Sequence, residues 1–330
     1  MKSIFRSHRW ELSIAIMVVL AGVWATTLSP YYLNGQQLLY SSRNLVFTGI
    51  MGLGLTLIIL TGEMDLSLPS TLAVCTVLLA KSSAAHLPLG LALALIAAVA
   101  LALGAFNGFL VAKLRLPALA VTLGTSGAYR GLAFIIGSET GYTGFDGTYK
   151  WLGSATVGSA AVPVMLFVFI AAVVVFGVIM HFSTFGRRCF AIGNNPMAVT
   201  YSGISVVRTK MGTYMIAALG AALGAWIFIG QYGSARGDNA DGVILGVITS
   251  VVLGGVDING GRGTVLGVLL SIIFLETLRN GMGLANISGS IQQLIIGALL
   301  VSGVLISNFS GRGIFAIRPR KQAKARPWAS

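Results

Sequence analysis

Few side chains here could do chemistry, and their spacing limits what that chemistry is. The nine acids are Glu11, Glu63, Asp65, Glu139, Asp146, Asp238, Asp241, Asp257 and Glu276. None forms an evident acid–base pair with His8, His86 or His181. The histidines and the two cysteines, Cys75 and Cys189, are scattered and lack the ligand spacing of a zinc or haem site. No Gly-Lys dipeptide occurs, so the Gly-x-x-x-x-Gly-Lys phosphate loop is missing, as are Gly-x-Ser-x-Gly and His-Glu-x-x-His. Neither an enzyme nor a cofactor or metal site is expected. Acids and histidines are also missing from the centres of long apolar runs, which argues against a proton relay or a voltage sensor.

The polar groups that stand out sit instead at breaks between apolar runs. Glu63 and Asp65 lie in the turn Gly62–Ser67, where Asp65 reads as the N-cap of the next helix, with gating of an inner mouth as the functional alternative. Asp257 and Asn259 lie in a loosely similar turn, Gly254–Asn259, which chance explains about as well as duplication. Asn107 is a polar residue in an apolar run, a setting that more often joins helices than binds a solute. Arg130 must pair or face a wet cavity, or else snorkel outward. Arg236 and Arg279 either steer a docking partner or bridge to Asp238 or Asp241 within the chain.

The segment His181–Lys210 carries Arg187, Arg188, Arg208 and Lys210 and no acid. Within it, Asn195 before Pro196 reads as an N-cap with proline at the first helical position, and Gly203 as the C-cap. A short helix over Pro196–Ser202 follows. Read alone, this is a basic loop against lipid headgroups.

The elements that hold these groups are apolar. Of 330 residues 55% are hydrophobic and 9% charged, and the mean hydropathy is +0.86. That is far from a soluble domain, where about a quarter of residues are charged. With 43 glycines for close helix packing, the composition predicts an all-α, polytopic membrane bundle. The net charge of +13 reads as basic residues retained on the cytoplasmic side rather than as a nucleic-acid site.

Ten apolar segments are read as spans: Leu12–Leu28, Asn44–Gly62, Leu66–Ala80, Leu87–Ala112, Leu116–Gly137, Ala161–Met180, Met211–Tyr232, Gly242–Val256, Gly263–Leu278 and Ile287–Asn308. The third, eighth and ninth are short, so eight spans plus re-entrant segments is the alternative. With both termini inside, Lys2, Arg6, Arg9, Lys113, Arg115, Arg187, Arg188, Arg208, Lys210, Arg262 and a basic tail are cytoplasmic. Only Arg43, Lys81, Lys150, Arg236 and Arg279 fall outside, which sets this orientation. One membrane domain, residues 1–308 with an inner loop at 181–210, is expected, followed by a cytoplasmic tail at 309–330 that touches anionic lipid.

Several segments together resemble one family. Phe185-Gly186-Arg187-Arg188 through Ala191-Ile192-Gly193-Asn194-Asn195-Pro196-Met197-Ala198 is similar to the coupling loop of permease subunits in ABC importers for ribose, xylose, galactose and related sugars. Gly62–Ser67 resembles that family's Gly-Gly-Ile-Asp-Leu-Ser signature. Phe106-Asn107-Gly108 with Leu116–Thr125 resembles its central segment, and Val252–Gly255 with Gly260-Gly261-x-Gly263 its C-terminal one. Order and spacing hold over nearly the whole chain. Tyr232–Arg236 and Gly141–Gly147 look closest to permeases of autoinducer-2 and rhamnose-type importers. Glu63 and Pro69 depart from the first signature, so no role for that turn carries over directly.

The resemblance implies a multi-pass subunit of the bacterial inner membrane that forms a pathway with a second permease subunit, the same or paralogous. Two cytoplasmic ATPases would dock on the coupling helices, and a periplasmic binding protein would deliver a sugar-like solute. Gly186, Arg187, Asn194, Asn195, Pro196 and Ala198 are then the expected ATPase contacts. A bulky residue at Gly186 or Ala198 should leave insertion intact and abolish transport. The alternatives are a secondary carrier working alone, and a channel or membrane enzyme.

Overall fold

The computed structural model describes residues 9–137 and 140–311. The expectations for the first eight residues and for the basic tail beyond 311 lie outside the described residues. In chain order the helices are α1 (Arg9–Leu28), α2 (Gly35–Leu60), α3 (Leu68–Ala84), α4 (Leu89–Gly108), α5 (Ala118–Gly137), α6 (Gly147–Ser154) and α7 (Val164–Gly177). They continue with α8 (Thr184–Asn194), α9 (Pro196–Tyr201), α10 (Val206–Tyr232), α11 (Val243–Leu253), α12 (Val265–Leu284) and α13 (Gly289–Gly311). Single π turns, Phe109–Lys113 and Val178–Phe182, extend α4 and α7. Two short antiparallel pairs complete the described residues. β1 (Tyr142–Thr143) pairs with β4 (Ser234–Ala235), and β2 (Thr156–Val157) with β3 (Val162–Pro163). They form no closed sheet.

Seven helices, α1, α2, α4, α5, α7, α10 and α12, are long and apolar enough to cross a membrane; α3, α11 and the apolar stretch Gly289–Leu305 of α13 are shorter. All ten stand where the sequence placed apolar segments. The ninth differs in length: it runs to Leu284 and reaches full span length, because Arg279, placed beyond its end by the sequence, lies inside it. The second also starts early, at Gly35, where the Asn34 side chain accepts from Gln36 N. Arg43 is thereby a mid-helix residue, its guanidinium 5.9 Å from the Tyr40 ring centre.

Burial separates core helices from peripheral ones. Every residue of α2 from Gly49 to Leu60 is buried, and α10 is buried over most of its length. Helices apolar all round belong in the centre of a bundle. Small residues let them approach: a Cβ on Gly54 would stand 2.9 Å from Ala217 Cα, and one on Gly108 2.8 Å from Met211 Cα. By contrast α1, α4, α5 and α7 each bury one narrow face, which leaves the rest for lipid or another subunit.

The internal echo extends further in the structure. α2 and α11 end alike, with Gly62 and Gly255 at φ of +78° and +86°. At each end the glycine N–H and the next N–H turn back, Gly62 to Ile59 O and Glu63 to Ile58 O, Gly255 to Val252 O and Val256 to Val251 O. Gly62 therefore corresponds to Gly255, one residue off the sequence pairing with Gly254. α3 and α12 also end alike, at His86 and Asn286, with φ of 54° and 55°. The pair α2–α3 thus matches α11–α12 in its helix ends.

Candidate functional site

At one end of the bundle both interrupted turns meet the loop between α7 and α10. Gly261 N donates to Leu60 O at 2.9 Å, tying the second turn to the end of α2. Asn194, the last residue of α8, donates from Nδ2 to Gly261 O at 3.1 Å and to Phe190 O at 2.8 Å. No side chain fits at the glycines of this junction. A Cβ on Gly193 would collide with Leu60 O and Gly261 N, and one on Gly260 would stand 2.7 Å from Gly62 N. The end of α8 and the two turns are thus packed backbone on backbone, with no flexible layer between them.

The first turn is also stitched sideways. Asp65 Oδ1 accepts from Ser67 N at 2.7 Å and Ser67 Oγ at 2.6 Å. Ser67 Oγ accepts from Asn107 Nδ2 at 2.8 Å. Tyr129 OH lies 3.0 Å from both Asn107 Oδ1 and Leu103 O. All four side chains are buried. Asp65 is therefore not the cap expected from the sequence: Ser67 holds the N-cap position, and Asp65 closes a turn onto it. Asn107 joins the turn to α4 and α5. Lys210, on α10, pairs with Glu63, and Tyr214 OH donates to Met64 O at 3.2 Å. Replacing Asn107 by leucine removes its buried bonds to the Ser67 and Tyr129 hydroxyls, which keep only Asp65 and Leu103 O as partners. It should cost about 2 kcal/mol, read as a lower unfolding midpoint in detergent.

In the second turn Asp257 Oδ1 accepts from Asn259 N at 2.9 Å and Nδ2 at 3.1 Å. Both turns therefore use the same Asp-to-i+2 closure, though Asp65 is buried and Asn259 exposed. The sequence places these residues together only as an echo; the fold brings both turns to one end.

The loop itself holds two helices where one was expected. α9 matches the reading: Asn195 Oδ1 accepts from Ala198 N at 3.0 Å, Pro196 opens the helix, and Gly203 follows at φ +77°. α8 was missed. Its signals were Ser183, whose Oγ accepts from Gly186 N at 3.0 Å, and the buried stripe Gly186, Cys189, Ile192 at helical spacing. Burial pushes the Cys189 thiol up to about 12. It should stay protonated and unreactive to maleimide at pH 8, with labelling appearing only on denaturation.

Expected contact residues divide by exposure. Arg187, Asn194, Asn195, Pro196 and Ala198 are exposed, whereas Gly186 is buried. A Cβ on Gly186 would collide with the Ile179 and Met180 carbonyls, so a bulky residue there would disturb the fold and Ala198 is the usable probe. Two further residues were missed. Met197 and Tyr201, both on α9, are 66% and 85% exposed, large apolar groups on a helix outside the spans. Beside α9 lies a cavity of about 710 Å³ whose wall includes Glu63, Arg115, Pro117, Met197 and Lys210.

The remaining candidates lie at the opposite end. Arg130 Nη1 donates to Gly237 O at 2.8 Å and Asn239 O at 2.7 Å, with Asp241 3.9 Å from Nη2. Arg130 thus ties α5 to the loop after β4. Arg236 is held by Asp238, at 3.0 and 3.1 Å. Arg279 is half-buried and turned toward Gly246.

Comparison with known proteins defines the class. Residues 37–303 match the family described as branched-chain amino acid transport system / permease component. The chain belongs to this permease family and is a multi-pass protein of the bacterial inner membrane, its seven span-length helices included. Among relatives, it is 30% identical over 298 residues to the autoinducer 2 import system permease protein LsrD of Escherichia coli K12, covering 89% of this chain and 90% of that one. It is 31% identical over 307 residues to LsrD of Photorhabdus temperata, covering 92% of each. No solved structure matches the chain.

Proposed function

We propose that this permease forms the pathway of an ATP-driven importer for autoinducer-2 or a similar sugar-like solute, and that α9 receives the force. The carrying observation is the pairing of an exposed apolar helix tip with a rigid base. Met197 and Tyr201 project from α9, while α8, one residue upstream, is packed on the backbone of both turns. A push on α9 would reach α2 and α11 together, and rigid-body rocking needs that kind of transmission. The Glu63–Lys210 pair beside the cavity at α9 would hold this mouth closed until α10 moves.

In this reading α9 faces the cytoplasm, both termini are cytoplasmic, residues 1–308 form the membrane domain, and about ten segments cross. Two cytoplasmic ATPases and a second permease subunit complete the assembly, and a periplasmic binding protein supplies the solute. The names of the relatives support autoinducer-2; the family description supports a branched-chain amino acid as the second reading. Arg236 and Arg279 would lie on the periplasmic side.

The test is reconstitution into proteoliposomes with and without the ATPase and binding protein. Uptake of autoinducer-2 should need both plus ATP, and leucine should not enter. Full-rate uptake by the lone chain, or collapse with an ion gradient, would favour a secondary carrier. A thiol placed at Asn195 should resist an impermeant reagent on intact spheroplasts.

A further inference from the structure

The end opposite α8 and α9 holds a polar cavity that the coupling site does not use. It measures about 440 Å³, and its wall includes Gln37, Asn44, Glu276, Arg279, Asn280 and Gln292. A narrower extension, sharing Thr48, Glu276 and Arg279, leads inward to Ser250 and Ile272.

Polar groups in such an apolar chain need a reason. Glu276 is only 9% exposed, lines both spaces, and accepts no hydrogen bond among the described residues. A carboxylate set this deep in an apolar chain is costly unless polar groups answer it. Arg279, one helical turn on, sets an opposite charge near it without a direct ion pair. Its guanidinium occupies the space a Cβ on Gly246 would need, so Gly246 makes room for it between the outer cavity and its extension. Asn280 accepts from Gln37 Nε2 at 3.2 Å while its own buried Nδ2 has no partner. Asn44 Oδ1 accepts from Gln231 and Tyr232 at 2.7 and 2.9 Å, fixing one wall.

We propose that this cavity is a binding site for one neutral, polyhydroxylated solute on the outer half of the route, with Glu276, Arg279 and Asn280 as its principal contacts. The proposal rests on the importer reading and adds to it where the solute sits. One acid and one base cancel, so the site carries no net charge to attract an ion. The amides of Gln37, Asn280 and Gln292 offer donors and acceptors side by side, as hydroxyl groups require. Tyr40, Phe47 and Tyr232 supply the apolar faces that ligand sites combine with a few polar groups. The solute would satisfy Glu276 and Asn280 Nδ2, and displacing Arg279 would open the way inward.

The test needs no ATP. In the full-length chain in nanodiscs, Thr48→Cys puts a thiol where the outer cavity meets its extension; Cys75 and Cys189 are buried, so only the new thiol should react with a polar maleimide. D-ribose, L-rhamnose and autoinducer-2 serve as probes, with leucine as the zwitterionic comparison. At least one polyol should slow labelling about threefold at twice its dissociation constant, the factor 1 + [L]/Kd, and leucine should not. Adding Glu276→Gln should remove the protection, with each variant's rate in solute compared with its own solute-free rate. Equal rates with all three polyols, protection by leucine, or protection that survives Glu276→Gln would each overturn the proposal. Failure of the importer reading would appear separately, as uptake without ATP in the reconstituted assembly.

Discussion

Tyr201→Glu should reduce ATP-driven uptake by about a hundredfold, the equivalent of roughly 3 kcal/mol at the docking contact. The ring is 85% exposed on a helix of six residues, so its loss removes nothing from the packing of the chain. Detergent stability and membrane insertion should equal those of the parent. A carboxylate at the centre of an apolar contact must be desolvated when the ATPase seats, and a buried charge without a partner is expensive. Ala198→Trp should act alike by a different cause, since bulk on the exposed face holds the ATPase away. The measurements are uptake in proteoliposomes and co-purification of the ATPase with each variant. Parent-like uptake by both variants would remove α9 as the docking helix.

The second large effect is structural. Gly193→Val should destabilise the chain by more than about 3 kcal/mol, at or above the usual range for overpacking. The neighbours of the new side chain would be backbone atoms of Leu60, Gly260 and Gly261. Backbone cannot rotate away, so α8 would lift from both turns. The yield of monodisperse protein in detergent should collapse, and any remainder should unfold well below the parent. Gly203→Ala is the comparison: Gly203 has φ +77° but nothing within 4 Å of a Cβ, so only backbone strain of about 1–2 kcal/mol applies. A Gly193→Val chain as stable as Gly203→Ala would mean that the junction is looser than its contacts indicate.

The two variants divide the proposed coupling site into a face and a base. Met197, Ala198 and Tyr201 form the face, where substitution should change transport and not stability. Gly186, Gly193 and Asn194 form the base, where the order reverses. Asn107 belongs with neither, because its hydrogen bonds brace the first turn from the side.

Much of this was legible in the residues. Apolar run length alone located the seven span-length helices and three shorter apolar ones, because a bilayer core demands a minimum uninterrupted apolar stretch. The helix α9 was readable because Asn-Pro and a later glycine act locally, through one cap bond and one backbone angle. Local patterns failed where the cause was not local. Arg279 looked like a span boundary because charge usually marks one; the structure shows it inside α12, facing a cavity together with Glu276. Asp65 looked like a cap because its neighbours suit one, but Ser67 holds that position, and its hydroxyl is held by Asn107 from forty residues away. The amphipathic α8 was passed over because its apolar face is only Cys189 and Ile192 beside a glycine. That face gains meaning when Gly193 meets the two turns. Sequence by itself determined which segments form apolar helices and where they break, since both follow from short-range hydrophobicity and turn chemistry. Only the tertiary structure decided that the two breaks share one end beneath α8 and α9, because that depends on contacts between residues some two hundred positions apart, which no local pattern encodes.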